Sequence, residues 1–154
     1  MASTKKAVAK AVDTSIYLVE KGTKLAITFV LAVTGSSTWT NQDMINTMLD
    51  KKLKAQLAKD NANIRLHTCG QAEGADKMIA EWAAKHDSVT VIARTPDFQR
   101  NGKVAVSRRN WSIVKTEGMK QVIAFDANPG ESWMISDLAR SAGKNEIKFE
   151  AFTE

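Results

Sequence analysis

The stretch Ile64-Arg-Leu-His-Thr-Cys-Gly-Gln-Ala-Glu-Gly-Ala-Asp-Lys-Met-Ile-Ala-Glu-Trp-Ala-Ala-Lys-His86 decides the fold. Its apolar beginning at residues 64–67 predicts a strand, and Gly70 and Gly74 mark the turn that follows. Apolar residues then recur at helical spacing: Ala75, Met78, Ile79, Trp82 and Ala83. A strand, a glycine turn and a helix start aim backbone N–H groups at an anion, although an ordinary strand-to-helix connection shows the same pattern.

The rest of the chain continues the alternation of strand and helix. Further strands are predicted at residues 25–33, 88–93, 121–125 and 146–152. Helices are predicted from Thr40 or Asn41 through Leu57, from Val106 or Ser107 up to Gly118, and over 134–142 with Gly143 just past the end, whereas 94–106 is a polar, basic connection. This order requires crossovers and predicts an α/β fold, a Rossmann-like three-layer sandwich with a mostly parallel five-stranded sheet.

Two regions follow from the pattern. Residues 25–154 form the main domain, and residues 1–24 form an N-terminal extension. Apolar residues spaced by three or four in this extension, with lysines between them, predict an amphipathic helix that packs on the main domain or on another subunit. Strand formers at 14–19 leave a strand open as the alternative, and a membrane-surface helix is a further one.

The composition of the chain limits the kinds of ligand and site that it can have. The 154 residues suit one globular domain, and the net charge of +5 favours anionic ligands without establishing nucleic-acid binding. Cys69 is the only cysteine, so an intrachain disulfide and a cysteine metal cluster are excluded, which agrees with a cytoplasmic setting. No apolar run is long enough to span a bilayer, and no secretory signal is expected.

Glycine occurs in all four loops that leave the carboxyl ends of the first four strands. These glycines are Gly35, the pair Gly70 and Gly74, Gly102 and Gly130. In a parallel sheet the four loops emerge on the same edge, where such folds bind ligands. Glycine permits the close backbone approach that a phosphate cradle needs, so a shared anion site is predicted there, with ordinary structural turns as the alternative.

Charged and aromatic residues point to the same edge. Arginines and lysines cluster in the third loop region, and Arg109 is the predicted phosphate clamp, with Asn110 beside it for a ribose or base. Trp39 is the predicted stacking residue. Trp111 and Trp133 are expected to be helix residues that face the core.

Other catalytic schemes lack their residues. His67 and His86 have no partner at metal-ligand spacing, so no metal is expected. Cys69 is expected to be a small buried thiol rather than a nucleophile. The chain contains neither a Gly-x-Ser-x-Gly elbow nor a Walker lysine after a glycine turn.

Four motifs resemble one family. They are Thr34-Gly35 with Trp39, Cys69-Gly-Gln-Ala-Glu-Gly-Ala-Asp76 with Ala80-Glu-Trp-Ala83, Gly102-Lys-Val-Ala105 with Arg109-Asn110, and Ile123-Ala-Phe125 with Gly130 and Met134. In this order they resemble the SLOG superfamily, named for DprA/Smf and the Lonely Guy proteins, and especially its small YspA/YpsA-related branch. The resemblance covers residues 29–148.

The resemblance implies a nucleotide or nucleotide-derived ligand, such as NAD, ADP-ribose, a cyclic relative or a nucleoside monophosphate. Some relatives are sensors in prokaryotic and phage conflict systems, and Lonely Guy proteins are phosphoribohydrolases that use a PGGxGTxxE motif. The corresponding segment here, Asn128-Pro-Gly-Glu-Ser-Trp-Met134, lacks the second glycine, the threonine and the downstream glutamate. Cys69 also replaces the first glycine of the family's central pair. Binding is therefore favoured over catalysis.

The resulting expectation is a sensor or sequestering module that needs no cofactor and forms a homo-oligomer by family analogy. A Lonely Guy-like N-glycosidase, with Glu131 or Glu73 assisting the departing sugar, is one alternative, and DprA-like binding of single-stranded DNA through the basic N-terminus is another. The predicted ligand-binding residues are Thr34, Gly35, Ser36, Ser37, Trp39, Gly70, Gln71, Gly74, Asp76, Arg109, Asn110, Pro129, Gly130 and Glu131.

Overall fold

The computed structural model describes residues 28–58 and 63–154. Its strands are β1 (Thr28–Gly35), β2 (Asn63–Thr68), β3 (Val89–Ala93), β4 (Met119–Phe125) and β5 (Lys148–Phe152). Its helices are α1 (Gln42–Leu57), α2 (Ala75–Ala83), α3 (Phe98–Asn101), α4 (Ala105–Val114) and α5 (Trp133–Lys144). A short 3₁₀ helix, Gly102–Val104, joins α3 to α4.

All five strands are parallel, in the order β3-β2-β1-β4-β5. The central strand β1 is buried on both faces, which is why its sequence is a nearly continuous apolar run. Leu31 and Val33 point into one core with the apolar faces of α1 and α2. Val30 and Ala32 point into the other core with α4 and α5. The predicted three-layer α/β architecture is therefore confirmed.

Local sequence signals explain where two helices begin. Asn41 caps α1, because its side-chain oxygen accepts a hydrogen bond from the backbone N–H of Met44. Ser132 caps α5 in the same way through the N–H of Ile135. Helix α2 begins without a side-chain cap, at Gly74.

Three of the predicted elements were wrong in detail. The helix predicted up to Gly118 is α4, and it ends at Val114. The basic connection at 94–106 contains α3 and the 3₁₀ helix, because Asp97 caps α3 through the N–H of Arg100. Gly143 lies inside α5 rather than past its end, since the helix continues to Lys144. The helix predicted for residues 1–24 lies outside the described residues, as does the start of the first predicted strand. Within the described ranges, none of the helices combines the length and apolar character that crossing a membrane requires.

Candidate functional site

The strand order changes direction between β1 and β4. The chain adds β2 and β3 on one side of β1 and then returns to add β4 and β5 on the other. The last residues of β1 and β4, Gly35 and Phe125, are paired at the carboxyl edge of the sheet. The loops that follow lead to α1 and α5, which cover opposite faces of the sheet. Such a divergence opens a crevice outside the strand ends, where α/β proteins bind ligands.

Gly35 and Gly74 hold the loops at this edge tightly against each other. A Cβ atom on Gly35 would lie 2.6 Å from the Ala75 Cβ and closer still to the carbonyl oxygen of Phe125. A Cβ atom on Gly74 would overlap the backbone of Ser36 and Ser37. Gly74 also has a φ of 78°, a conformation that favours glycine. The space beside these two glycines is therefore filled by protein backbone instead of being open to a phosphate.

Asp76 organises the floor of the site. Its carboxylate accepts hydrogen bonds from the Thr34 hydroxyl at 2.7 Å, the Gln71 backbone N–H at 2.9 Å and the Gln71 side-chain amide at 3.1 Å. Burial raises the pKa of Asp76, and the hydrogen bonds from Gln71 and Thr34 oppose that rise. Gln71 also donates to the carbonyl oxygen of Gly35 at 2.8 Å. These contacts join the β1 and β2 loops and use the oxygens predicted to meet a ribose.

Ser36 joins three segments of chain. Its hydroxyl oxygen accepts a hydrogen bond from the Ala127 N–H at 2.9 Å, which ties the β1 loop to the β4 loop. Its carbonyl oxygen accepts from both the Trp39 N–H at 3.2 Å and the Ala75 N–H at 3.0 Å. Ser37, the next residue, is exposed at the rim. The first loop therefore has a fixed backbone, and Ser37 is one of its exposed hydroxyl residues.

Arg109 is a buried cation at this edge. Its Nη1 donates to the carbonyl oxygens of Cys69 at 3.0 Å and Arg94 at 2.9 Å, the residues that follow β2 and β3. Its Nε donates to the side-chain oxygen of Asn110 at 2.9 Å. Among the described residues, no carboxylate lies within ion-pair distance of Arg109, and no hydrogen bond uses its Nη2. One end of the guanidinium is fixed, and the other keeps its donors.

Asn110 fixes the position of Arg109 by accepting a hydrogen bond from its Nε. The side chain is fully buried, and its amide donates to the Met134 carbonyl oxygen at 3.1 Å and to the Asp137 carboxylate at 3.0 Å. Because these bonds and the one from Arg109 occupy it, Asn110 orients the arginine and links α4 to α5. The structure does not present it to a ribose or base.

Cys69 is a buried thiol, as its sequence context predicts. Its Sγ lies 3.8 Å from the Met134 Sδ, and burial raises its pKa to about 11, against the opposing charge of Arg109. A thiol with such a pKa is protonated at neutral pH and is a poor nucleophile. The neighbouring Gly70 has a φ of 77° and packs against Thr95.

The β4–α5 loop forms an exposed turn at residues 128–131. The Glu131 N–H donates to the Asn128 carbonyl oxygen at 3.0 Å, with Pro129 and Gly130 between them and a φ of 91° at Gly130. Proline followed by a glycine at positive φ is typical of a type II turn, so the turn itself requires this glycine. Nothing lies near a Cβ placed on Gly130, so the turn is open on that side.

The two glutamates proposed as catalytic are both exposed. Glu131 lies in the turn just described, and Glu73 lies in the β2–α2 loop. In the described part of the chain, neither side chain makes an ion pair. A general acid needs a held position, so the structure adds no support for these two assignments.

The expected roles of three tryptophans were wrong. Trp39 was the predicted stacking residue, but it is only 1% exposed and packs edge-on against Phe125, with ring centroids 5.4 Å apart. Its ring belongs to the same apolar core as Ile45 and Leu49 of α1. Trp111 and Trp133, expected in the core, are 43% and 58% exposed. Trp82, one of the residues at helical spacing in α2, is buried.

A buried polar network behind the site escaped the sequence analysis. His67 is 1% exposed, and its Nδ1 lies 3.1 Å from Nη1 of Arg94. The same Nη1 donates to the Thr116 hydroxyl, and Nη2 of Arg94 donates to the Ser112 hydroxyl. Burial and the Arg94 charge lower the pKa of His67 to about 3. Its Nε2 is the one buried side-chain nitrogen or oxygen without a hydrogen-bond partner in the described residues. The alternation of β2 was the available signal, because it places His67 on the same face as Arg65.

In the described residues, neither a metal cluster nor the cavity beside α1 contributes to this edge. The described residues contain no group of three or more His, Cys, Asp and Glu side chains that could hold a metal ion. A cavity of about 570 Å³ is lined by Asp50, Lys51, Lys54, Leu57 and Ala58, at the carboxyl end of α1 and away from the strand ends.

Comparison with known families agrees with the first two of the four motifs. The sequence model of the YAcAr family, described as the YspA, cpYpsA-related SLOG family, matches residues 29–101. The match includes the β1 loop, the β2–α2 loop and α3. No curated protein matches the chain significantly, and no solved structure does so either.

Proposed function

Because the chain belongs to the YspA, cpYpsA-related SLOG family, we propose that it binds a nucleotide or a nucleotide-derived ligand at the carboxyl edge of the sheet. The ligand class is an NAD-like or ADP-ribose-like molecule or a nucleoside monophosphate. The protein then acts as a sensor or a sequestering module for that ligand. Family membership supports a ligand of the nucleotide class, and the residues of this chain support its position at the carboxyl edge of the sheet.

The guanidinium of Arg109 is the observation that carries the proposal. A buried charge without an ion pair costs several kcal/mol unless something compensates it. The two carbonyl oxygens and the Asn110 oxygen compensate part of that cost and fix the group in place. A phosphate that accepts from Nη2 completes the compensation, with arginine supplying the planar donors that suit a phosphate.

The remaining contacts follow from what is exposed beside the arginine. Asp76 and Asn110 are already hydrogen-bonded within the protein, so they shape the site instead of touching the ribose. Ser37 and Glu131 are exposed at the rims of the β1 and β4 loops. We assign the ribose hydroxyls to these rims, because ribose needs both donors and acceptors. The base then points outward, away from the buried Trp39.

Calorimetric titration of the full chain tests the proposal. The ligands are NAD, ADP-ribose, its cyclic isomers, AMP and GMP. We expect saturable heat with at least one of them. Replacing Arg109 with lysine should weaken that ligand about 10- to 100-fold, the loss expected for a charged hydrogen bond.

The matched control is Arg108→Lys, because Arg108 is the neighbouring arginine but is exposed. It should change the affinity less than about twofold, because the substitution keeps the positive charge and the side chain is on the surface, outside the proposed site. Thermal unfolding of both variants shows whether each one is folded. The proposal fails if none of the ligands produces heat or raises the unfolding temperature, or if both variants bind as tightly as the wild type.

A further inference from the structure

Asp126 is a buried carboxylate at the point where the strand order changes direction. It is the first residue after β4, and it is only 6% exposed. Its carboxylate contacts Ser36, the first residue after β1. Asp126 therefore lies at the end of the strand pair whose loops lead to opposite faces of the sheet, which is where α/β proteins bind ligands.

One oxygen of this carboxylate makes all of its contacts within the described residues. Oδ1 accepts from the Ser36 hydroxyl at 3.4 Å and from the Asn128 N–H at 3.3 Å. Both distances are long for hydrogen bonds. In the described part of the chain, no hydrogen bond or ion pair uses Oδ2 of Asp126.

Oδ2 of Asp126 is nevertheless open to solvent. Within the described ranges, the Nε2 of His67 is the one buried side-chain nitrogen or oxygen that is shut off from solvent without a partner. Oδ2 of Asp126 also lacks a partner there, so it belongs to the small exposed fraction of that residue. A largely buried acceptor that a ligand can reach sets specificity, because it is left unpaired when the ligand lacks the matching donor.

The other carboxylates at this edge differ from Asp126. Asp76 has both oxygens hydrogen-bonded, since Thr34 donates to Oδ1 and Gln71 donates twice to Oδ2. Glu131 is exposed and would have to be ordered when a ligand binds, which costs affinity. Asp126 combines a held position with an oxygen that the described residues do not use.

The distance along the edge fits a phosphate and its ribose. Arg109 is bonded to the carbonyl oxygen of Cys69, just beyond β2, whereas Asp126 lies just beyond β4. Strand β1 is the one strand between β2 and β4. Because neighbouring strands are about 4.8 Å apart, the two groups are separated by about 10 Å along the edge. A 5′-nucleotide whose phosphate contacts Arg109 can therefore direct its ribose toward Asp126.

We propose that Asp126 makes the site specific for an intact ribose. Its Oδ2 accepts from a ribose hydroxyl while Arg109 holds the phosphate of the same ligand. The 2′- and 3′-hydroxyls are neighbours on one side of the ring, and the two lone pairs of Oδ2 can serve both. A deoxynucleotide leaves the carboxylate unpaired and is rejected. The inference rests on the proposed function, because it assigns a role within the same nucleotide site.

Calorimetric titration of the full chain with AMP, 2′-deoxy-AMP and 3′-deoxy-AMP tests this assignment. AMP carries both of the groups that Arg109 and Asp126 hold, so we expect it to bind. At least one deoxy analogue should bind about tenfold or more weakly, the loss expected for a hydrogen bond to a charged group. Binding should persist in EDTA, since the donor is a hydroxyl and not a metal ion.

Two substitutions of Asp126 measure its share of this discrimination. Asp126→Asn keeps the shape of the side chain but makes it a weaker acceptor, so the ratio of the AMP affinity to the deoxy-AMP affinity should fall about threefold to tenfold. Asp126→Ala removes the acceptor, and the two affinities should then agree within about twofold. A side chain that only supports the loops would weaken both nucleotides equally and leave the ratio unchanged. Thermal unfolding shows whether each variant is folded.

Two further variants separate this inference from the proposed function. Arg109→Lys should weaken AMP and its deoxy analogues by the same factor, because the phosphate is common to all of them. Asp87→Asn is the matched control, since Asp87 is an exposed aspartate just before β3, at the opposite edge of the sheet. It should leave every affinity within about twofold of the wild-type value.

Four results would overturn the role of Asp126. These are the absence of AMP binding, equal affinity for AMP and both deoxy analogues, a ratio that Asp126→Ala leaves unchanged, and AMP binding that disappears in EDTA. The last result would assign Oδ2 to a metal ion. If ADP-ribose or NAD binds through Arg109 while any of these results holds, the proposed function stands without this specificity.

Discussion

Replacing Gly74 with alanine tests whether the loops of the site are locked together. Gly74 has φ 78° and ψ −140°, close to a region that residues other than glycine rarely adopt, at a cost of about 1–3 kcal/mol. The added Cβ would also overlap the backbone of Ser36 and Ser37. That backbone cannot easily retreat, because the Ser36 carbonyl oxygen is bonded to two other amides. Overpacking against fixed atoms costs about 1–3 kcal/mol more.

We therefore expect Gly74→Ala to lower the free energy of unfolding by about 3–4 kcal/mol. Two other glycines serve as controls, since a Cβ on either meets nothing within 4 Å. Gly130→Ala introduces only the strain of its positive φ of 91°, about 1–2 kcal/mol. Gly143 lies inside α5, so Gly143→Ala should stabilise the protein by about 0.5–1 kcal/mol.

Urea denaturation followed by tryptophan fluorescence measures all three variants. The expected order of stability is Gly143→Ala, wild type, Gly130→Ala and Gly74→Ala. If Gly74→Ala is no less stable than Gly130→Ala, the tight contact between the β1 and β2 loops does not exist in solution. The glycine would then be free to act as the phosphate cradle that its sequence motif suggested.

Three further predictions concern other parts of the molecule. The folded-state pKa of His67 is about 3, below its usual 6.5, so the free energy of unfolding should fall as the pH drops from 6.5 toward 3. The loss should reach about 2 kcal/mol at pH 5. Urea titrations should show a smaller loss for His67→Gln, and an equal loss in both proteins would contradict the low pKa of His67. Trp39→Ala should cost about 3–5 kcal/mol in urea unfolding, whereas the exposed Trp111→Ala should stay within about 0.5, and similar losses would refute the exchange of core and surface roles. Chromatography of nucleotides incubated with the protein should show no released base, and release that disappears in Glu131→Ala or Glu73→Ala would establish the hydrolase instead.

The fold was predictable because its signals are local and repeated. Strand β1 is apolar throughout since it is buried on both faces, and Asn41 marks the start of α1 through a short-range hydrogen bond. The order of the strands was not predictable in the same way, because it depends on which edges the crossovers reach. The end of α5 was missed because an exposed glycine such as Gly143 can continue a helix at modest cost.

The sequence predicted which side chains lie together at the carboxyl edge of the sheet better than it predicted the contacts that they make. The motifs correctly brought Thr34, Gln71 and Asp76 together, yet the structure uses them for bonds among themselves. Trp39 looks like a loop residue in the sequence, and only the folded chain shows that Phe125 and α1 enclose it. In the short helix α4, apolar spacing could not tell an exposed stripe containing Trp111 from a buried one.

The shared acceptor at Ser36 has a consequence for motion. Because one carbonyl oxygen receives the amides of both Trp39 and Ala75, the loops after β1 and β2 are expected to open as a single unit. Hydrogen exchange at these two amides should therefore share one opening rate, although the residues lie far apart in the sequence. A ligand that settles on this edge would slow both exchanges together, and the Ala75 amide would report occupancy without contacting the ligand.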